Sequence, residues 1–470
     1  MTLSSLVSQW AQKSPLSIAL QTPERNYTWQ QLSDAVQGYG AGLAAQGVKN
    51  GDVVTLVGKN SAAMLLLFLA CLERGAVTAF TMPQPVDMLK AKLDVLYRNQ
   101  DTSALWLSPE VVAEYTSFEL NQLEQRTRRV SLQRGEASSV VLGAGRERLA
   151  SIVFTSGSTG MPKAVAHTSQ QHLASAAGLL EAFSFQRDDC WLLSLPMYHV
   201  SGLAIVYRWL YRGACLKIGQ GNLSEDIQGA THASLVATQL RGLLDSEQTL
   251  TLTHVLLGGS HVPLSLSQRA ATIGIETWLG YGMTEAASTV TAKRIDNIVS
   301  AGRVLQLRQV MLDGQRIYIA GETLASGYYH QGALTPIREQ SGWFDSRDLG
   351  EWVGDELRII GRADNLFISG GENIHCEEIE AVLARHPQVN QVIVVPIEDE
   401  KFGARPVAIV QSDANVNELD LASWMLGKTE KFKIPDAFVA MPQLSMSGIK
   451  ISRQAIKSWL SRQPGGYLVI

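Results

Sequence analysis

The stretch Thr155-Ser-Gly-Ser-Thr-Gly-Met-Pro-Lys163 places four hydroxyls, two glycines and a lysine directly after the apolar run Leu149 to Phe154. That composition suits a chain of phosphates. Gly157 and Gly160 let backbone N–H groups approach an anion, Thr155, Ser156, Ser158 and Thr159 add hydroxyl donors, and Lys163 adds a mobile positive charge. The spacing is not that of the Walker loop, G-x-x-x-x-G-K-[ST] opening a helix, because Pro162 precedes the lysine and Ala164 follows it. A generic P-loop nucleoside triphosphatase is therefore disfavoured. Read in isolation, the same residues also suit an ordinary flexible connection.

Three further places carry chemistry. Thr284-Glu285 follows a Tyr281-Gly-Met turn, and a carboxylate oxygen is the hard ligand that Mg²⁺ prefers; read alone, such a glutamate is a solvated surface charge. Leu256-Leu-Gly-Gly-Ser-His261 ends an apolar run with two glycines, which would let a flat ring or an acyl group lie against bare backbone, or would simply make a turn. Lys450, in Ser447-Gly-Ile-Lys-Ile-Ser-Arg453, has a long stem that can reach both an attacking carboxylate and a phosphate. Read alone it too is a surface charge.

Taken in order with Pro196-Met-Tyr-His-Val-Ser-Gly202, Ser346-Arg-Asp348 and Gly361-Arg-Ala-Asp364, these segments resemble those of the adenylate-forming acyl-CoA synthetases. The resemblance runs from Tyr27-Thr-Trp-Gln-Gln-Leu32 to Arg453. It implies a two-step ligase in which ATP and an acid give an acyl-adenylate and pyrophosphate, after which coenzyme A displaces AMP, with Mg²⁺ as the metal. The catalytic set it implies is His199, Thr284, Glu285 and Lys450, with Thr284 at the α-phosphate and Glu285 on the metal. Thr155, Ser156, Gly157, Ser158, Thr159, Gly160 and Lys163 would hold the phosphates. Gly258, Gly259 and Ser260 would border the nucleotide and acyl pocket, Tyr281, followed by Gly282 and Met283, would stack on adenine, and Asp348 would hold the ribose hydroxyls with Arg362 nearby. Two departures stand out. Ser346-Arg347 replaces the family's Thr-Gly before the aspartate, which puts the form of that turn in question. Gly448-Ile449-Lys450-Ile451 is one residue longer than the family's Gly-Lys-Ile, so Lys457 is the other candidate cation.

In this family the segment around His199 and Ser201 borders the acyl pocket. If Ser201 caps a helix, then Ser201, Ala204, Ile205 and Arg208 fall at i, i+3, i+4 and i+7 on one face. A pocket for a plain fatty acid or benzoate has little use for a buried arginine, because an unpaired buried charge is costly. A second carboxylate on the acid would pair it, and so would an Asp or Glu of its own domain. The stretch Trp191 to Ala214 and the ending Gly448 to Ala455 are similar to the branch of the family that acts on an aromatic acid with a succinyl arm. There the succinyl carboxylate is activated and the ring carboxylate is left for Arg208.

These residues need rigid carriers. Leu32 to Gln46 and Ala62 to Arg74 have helical spacing, whereas Val53 to Val57, Ile152 to Thr155, Cys190 to Leu195, His232 to Val236 and His254 to Leu257 read as strands. Such alternation argues for parallel sheets flanked by helices. After Gly361-Arg-Ala-Asp-Asn365 a helix is expected over Glu377 to His386 and strands over Val389 to Pro396 and Pro406 to Gln411. The expected fold is α/β. A large N-terminal domain of sheets flanked by helices, residues 1–363, holds the nucleotide and acyl site. A smaller α+β C-terminal unit, residues 364–470, carries Lys450. The resemblance makes that unit a mobile lid with Asp364 as its hinge; Asp-Asn also favours an ordinary turn.

With 470 residues, 46% hydrophobic and 18% charged, the chain can fill more than one core. A net charge of −4 with scattered Lys and Arg gives no basic patch for nucleic acid. Met1 to Trp10 lacks the basic-then-apolar order of an export signal, and Ala62 to Leu72 is shorter than the roughly 20 residues that span a bilayer. A cytoplasmic protein without a membrane span, acting on a small-molecule acid and coenzyme A, is expected. Its assembly, monomer or homo-oligomer, is left open. Cys71, Cys190, Cys215 and Cys376 form no C-x-x-C pair and are expected to be reduced, packed thiols.

Overall fold

The computed structural model describes residues 3–98, 103–136, 148–155, 162–246, 248–258, 262–369, 372–416, 419–442 and 453–463. Its first sheet starts from short runs of β-branched residues. Val53–Val57 and Val77–Thr81 are buried at every position and pair in parallel, Val53 opposite Val77. The helix between them, Ala62–Arg74, starts where the Ser61 side chain accepts from Met64 N and stops at Gly75, whose φ of 75° is left-handed. Among the described residues the sheet has eight strands. Ala104–Leu107, Val53–Val57, Val77–Thr81 and Leu149–Thr155 run parallel, then Lys163–Thr168 and Gly327–His330 turn antiparallel.

A nine-stranded sheet is built in the same way. Cys215–Lys217, Cys190–Leu192, His232–Leu235, His254–Leu257 and Glu276–Met283 lie parallel, and Ser288–Arg294 folds back antiparallel on the last of them. The largest buried cluster takes Val54, Phe80 and Val153 from the first sheet and Leu20, Trp191 and Leu216 from the second. It also takes Leu32, Phe68, Leu179 and Trp209 from four helices, which therefore form a layer between the sheets. Trp29 and Trp209 stack at 5.3 Å in its centre.

The sequence reading is met closely over Val53–Val57, Ala62–Arg74 and His254–Leu257. The strand expected over Cys190 to Leu195 stops at Leu192. Its continuation is drawn off by Asn60, whose Nδ2 donates to Leu193 O and Leu195 O at 3.0 and 2.8 Å while its Oδ1 accepts from Met197 N at 2.8 Å. A four-stranded antiparallel sheet, Arg308–Asp313, Arg316–Gly321, Phe344–Val353 and Glu356–Arg362, was not expected. Beyond Arg362 come a two-stranded and a three-stranded sheet with the helices Cys376–Leu383 and Arg453–Leu460. Ile374, Ile379, Leu383, Val394 and Val410 form a core of their own there. All four cysteines are free. Among the described residues no helix is long and apolar enough to cross a membrane.

Candidate active site

Thr155 ends the strand Leu149–Thr155 and Lys163 begins the strand Lys163–Thr168, and the two residues face each other across an antiparallel ladder. The segment between them thus joins two paired strands, whereas a Walker loop joins a strand to a helix. Ser156, Gly157, Ser158, Thr159 and Gly160 lie outside the described residues. The Lys163 ammonium stands 5.2 Å from the centre of the Tyr328 ring. The Tyr328 hydroxyl in turn donates to Glu285 Oε1 at 3.2 Å. The phosphate-loop lysine and the metal carboxylate proposed from sequence therefore flank one tyrosine. Burial, then the charge of Glu285, pushes that phenol far above its ordinary value.

Thr284 and Glu285 sit in a single 3₁₀ turn, Thr284–Ala286, between Glu276–Met283 and Ser288–Arg294. The following Ala287 and Ser288 have φ of 50° and 92°, a left-handed path rare outside glycine. Gly282 is required by the hairpin, since a Cβ there would stand 1.7 Å from Ser288 O. Glu285 makes no ion pair with a described residue, and the described residues hold no group of three or more His, Cys, Asp or Glu able to hold a metal ion by themselves. One half-buried carboxylate with a single hydroxyl donor fits a Mg²⁺ ion whose other ligands are phosphate oxygens and water.

Tyr281, Asp348, Arg362 and Asp364 form one chain of polar contacts. The Tyr281 hydroxyl donates to Asp348 Oδ2 at 2.6 Å, Arg362 Nη1 donates to Asp348 Oδ1 at 3.1 Å, and Arg362 Nη2 donates to Asp364 Oδ2 at 3.2 Å. Asp348 and Arg362 face each other across paired strands, which explains why residues far apart in sequence meet. Burial and the charge of Asp348 raise the Tyr281 phenol well above its usual value. No turn precedes Asp348; Arg347 lies within the strand Phe344–Val353, at a register shift against Arg316–Gly321, and takes a glycine-like φ of 61° despite its sequence. It is held there because its N–H donates to Asp345 Oδ1 at 2.9 Å, and Asp345 is clamped by Arg316 at 2.7 and 2.8 Å. Asp364 lies in the short turn Ala363–Asn365.

Where the sequence reading expects the acyl pocket, the helix Val200–Arg212 begins after His199, whose extended backbone (φ −112°, ψ 145°) makes it the cap position. Ser201 is therefore not the cap; it is the second residue of the helix. The shift leaves the helical spacing intact, so Ser201 still shares a face with the buried Ala204, Ile205 and Arg208. Gly202 is close-packed, because a Cβ there would stand 2.1 Å from Pro196 O. Arg208 is 2% exposed, lies 5.3 Å from the Trp191 ring centre and donates from Nη2 to Thr289 Oγ1 at 3.1 Å. Its Nε has no partner among the described residues, and neither Asp nor Glu of the described residues pairs with it. Burial, with the neighbouring Arg308 charge, pulls it down to about 9.

His199 is lowered by burial and by the charge of Lys92. Lys92 donates to Thr81 Oγ1 at 2.6 Å and stands 5.2 Å from the Phe154 ring centre, one residue before Thr155. Burial brings it down to about 8. Gly258 follows the strand His254–Leu257, with no described atom within 4 Å of where a Cβ would stand, so its backbone faces open space. Gly259, Ser260 and Lys450 lie outside the described residues. Tyr328, Thr289, Lys92 and Asn60 were not found from sequence. Of these, only Tyr328 had a local cue, the tandem tyrosines after Gly327.

Comparison with known proteins identifies the family. The AMP-binding enzyme family matches residues 7–329, and the AMP-binding enzyme C-terminal domain matches residues 378–449. The chain is 40% identical over 457 residues to the 2-succinylbenzoate–CoA ligase of Escherichia coli strain K12, covering 97% of this chain and 98% of that one. Its fold superimposes with a TM-score of 0.88 on an E. coli MenE arginine-to-lysine variant with bound OSB-AMS, at 38% identity and 98% coverage of both chains. It superimposes with a TM-score of 0.83 on Bacillus subtilis O-succinylbenzoate coenzyme A synthetase in complex with ATP and magnesium ion, at 26% identity, covering 96% and 99% of the two chains. With family models matching residues 7–329 and 378–449 and a likeness to these ligases along almost its whole length, the chain belongs to the AMP-binding enzyme family.

Proposed function

We propose that this chain is an ATP- and Mg²⁺-dependent ligase that activates 2-succinylbenzoate as its acyl-adenylate and transfers the acyl group to coenzyme A, giving 2-succinylbenzoyl-CoA, AMP and pyrophosphate. In the cytoplasm this is a step of menaquinone biosynthesis. One observation carries the choice of acid: a buried guanidinium, Arg208, with no carboxylate of the described residues beside it. A buried arginine without a counter-ion is expensive, and an acid that keeps a second carboxylate after activation supplies that counter-ion on binding. His199, Ser201 and Gly258 line the same acyl end.

Adenylation brings two anions together, so charge must be neutralised around the α-phosphate and the partners held in line. Lys163 and the hydroxyls from Thr155 onward hold the phosphate chain. Glu285 binds Mg²⁺, which neutralises phosphate charge, and Thr284 contacts the α-phosphate. Tyr281 and its neighbours Gly282 and Met283 take the adenine, and Asp348, fixed by Arg362, takes the ribose. Lys450 is the cation that follows charge from carboxylate to phosphate. Residues 364–470 act as a lid on residues 1–363, turning about Asp364 between the two half-reactions.

The test is direct. Enzyme with ATP, Mg²⁺, coenzyme A and 2-succinylbenzoate should release pyrophosphate and form the thioester, read by mass spectrometry, whereas benzoate and a plain fatty acid should give little. Thioester from those acids and none from 2-succinylbenzoate would reject the assignment.

A further inference from the structure

A second buried arginine, Arg308, shares Thr289 with Arg208. Thr289, which accepts from Arg208 through Oγ1, gives its carbonyl to Arg308 Nε at 2.9 Å. The other Arg308 donors reach Gln306 O at 2.8 Å and Ala174 O at 3.5 Å from Nη1, and Ser175 O and Oγ, both at 2.9 Å, from Nη2. All five N–H groups are thus spent on neutral acceptors, and no described carboxylate faces either guanidinium. A buried guanidinium without a counter-ion costs more than an apolar side chain of similar volume would, so packing alone does not account for Arg308.

Two further features show what the clamp holds. Ser175 Oγ, besides accepting from Arg308, donates to Ala287 O at 2.5 Å. Arg308 therefore grips both ends of the left-handed pair Ala287 and Ser288, directly at Thr289 and through Ser175 at Ala287. Non-glycine residues keep such backbone only where their surroundings over-determine it. The helix Ser169–Leu180 also carries a glycine where the guanidinium enters: a Cβ on Gly178 would stand 2.1 Å from Arg308 Nη1 and 2.3 Å from Gln306 O.

We propose that Arg308 is a positioning residue of the acyl pocket, which pins Ala287 to Thr289 and, through Thr289, holds Arg208 in place for the second carboxylate of the acid. The inference rests on the substrate reading above. Arg308 touches no substrate; it acts through Arg208.

The measurement is the ratio of kcat/KM for 2-succinylbenzoate to that for 4-oxo-4-phenylbutanoate, which lacks only the ring carboxylate. General damage to the fold or to ATP use lowers both values together and leaves their ratio unmoved. Arg308→Gln should lower the ratio at least tenfold. Arg308→Lys keeps a charge but not the planar fork, and should lower it severalfold. Should the glutamine variant fail to fold, the lysine variant decides, and a wild-type ratio in it overturns the proposal. Equal losses on both acids in either variant also overturn it, reducing Arg308 to a structural clamp. A wild-type enzyme that does not prefer 2-succinylbenzoate overturns the substrate reading itself, and this inference with it.

Discussion

On the proposed role of Arg208, which lies against Trp191 and Thr289, removing its guanidinium would leave the second carboxylate of the acid without a cation. A charge-assisted contact of this kind is worth about 1.5–3 kcal/mol, so Arg208→Ala should weaken kcat/KM for 2-succinylbenzoate roughly tenfold to over a hundredfold. Arg208→Lys should recover only part, because the ammonium cannot bridge Thr289 and a carboxylate in one plane. Steady-state kinetics with the analogue lacking the ring carboxylate checks it: a loss equal on both acids would make Arg208 a fold residue. At the carboxylate proposed to hold Mg²⁺, Tyr328→Phe takes away the hydroxyl donor of Glu285. The carboxylate loses its orientation, and the Mg²⁺ concentration for half-maximal activity should rise severalfold while the melting temperature stays within a degree or two. An unchanged magnesium requirement would separate Tyr328 from the metal.

The irregular strand position at Arg347 shows how an element can override its local sequence. A left-handed arginine costs about 1–2 kcal/mol, partly offset by the entropy a glycine loses on folding, so Arg347→Gly should stabilise the chain by up to about 1 kcal/mol. Urea unfolding at constant slope would show it, and a destabilised variant would mean that the side chain contributes contacts outweighing the strain. The same strand explains why its sheet was not legible in the sequence. Phe344–Val353 carries Asp345, Asp348 and Glu351, whose partners Arg316, Arg362 and Arg358 arrive from neighbouring strands, so in one dimension it reads as a polar connection. Val53–Val57 was legible as a short, mostly apolar β-branched run between Asp52 and Gly58, and Ala62–Arg74 as a longer apolar run with Ser61 before it and Gly75 after it. The site divides in the same way. Thr284, Glu285, Asp348 and Lys163 announce themselves in short motifs. Tyr328 meets Glu285 from 43 residues away, and Thr289 meets Arg208 from 81, contacts that exist only once the sheets have formed.

Across the whole molecule, Asp364 lies at the passage from the antiparallel sheet ending at Arg362 to the separate core around Ile379 and Val394. Asp364→Pro would fix φ at this point, and the thioester half-reaction should collapse while adenylation persists; stopped-flow assays of each half-reaction test this, and equal rates to wild type would place the pivot elsewhere. Acid should loosen the fold for another reason. Burial lowers His167 and His232 to about 4, and lowers His172 well below its usual value with the His167 charge adding to it. Below pH about 6.5 the unfolded chain binds protons that these rings in the fold refuse, so stability falls between about 6.5 and 4, by up to about 1.4 kcal/mol per pH unit for each ring, and is untouched by them above that window. Thermal unfolding from pH 7 to 5 should show the slope, and His172→Gln should flatten it. The segment proposed to hold phosphate is carried between two paired strands. Because Thr155 and Lys163 are locked at one rung of a ladder flanked by the buried Ile152, Val153, Val165 and Ala166, the mount is set by the core whatever residues stand at 156–161. In a saturation library those six positions should score as intolerant for turnover yet neutral for abundance, a place where selection on catalysis proceeds without a tax on folding.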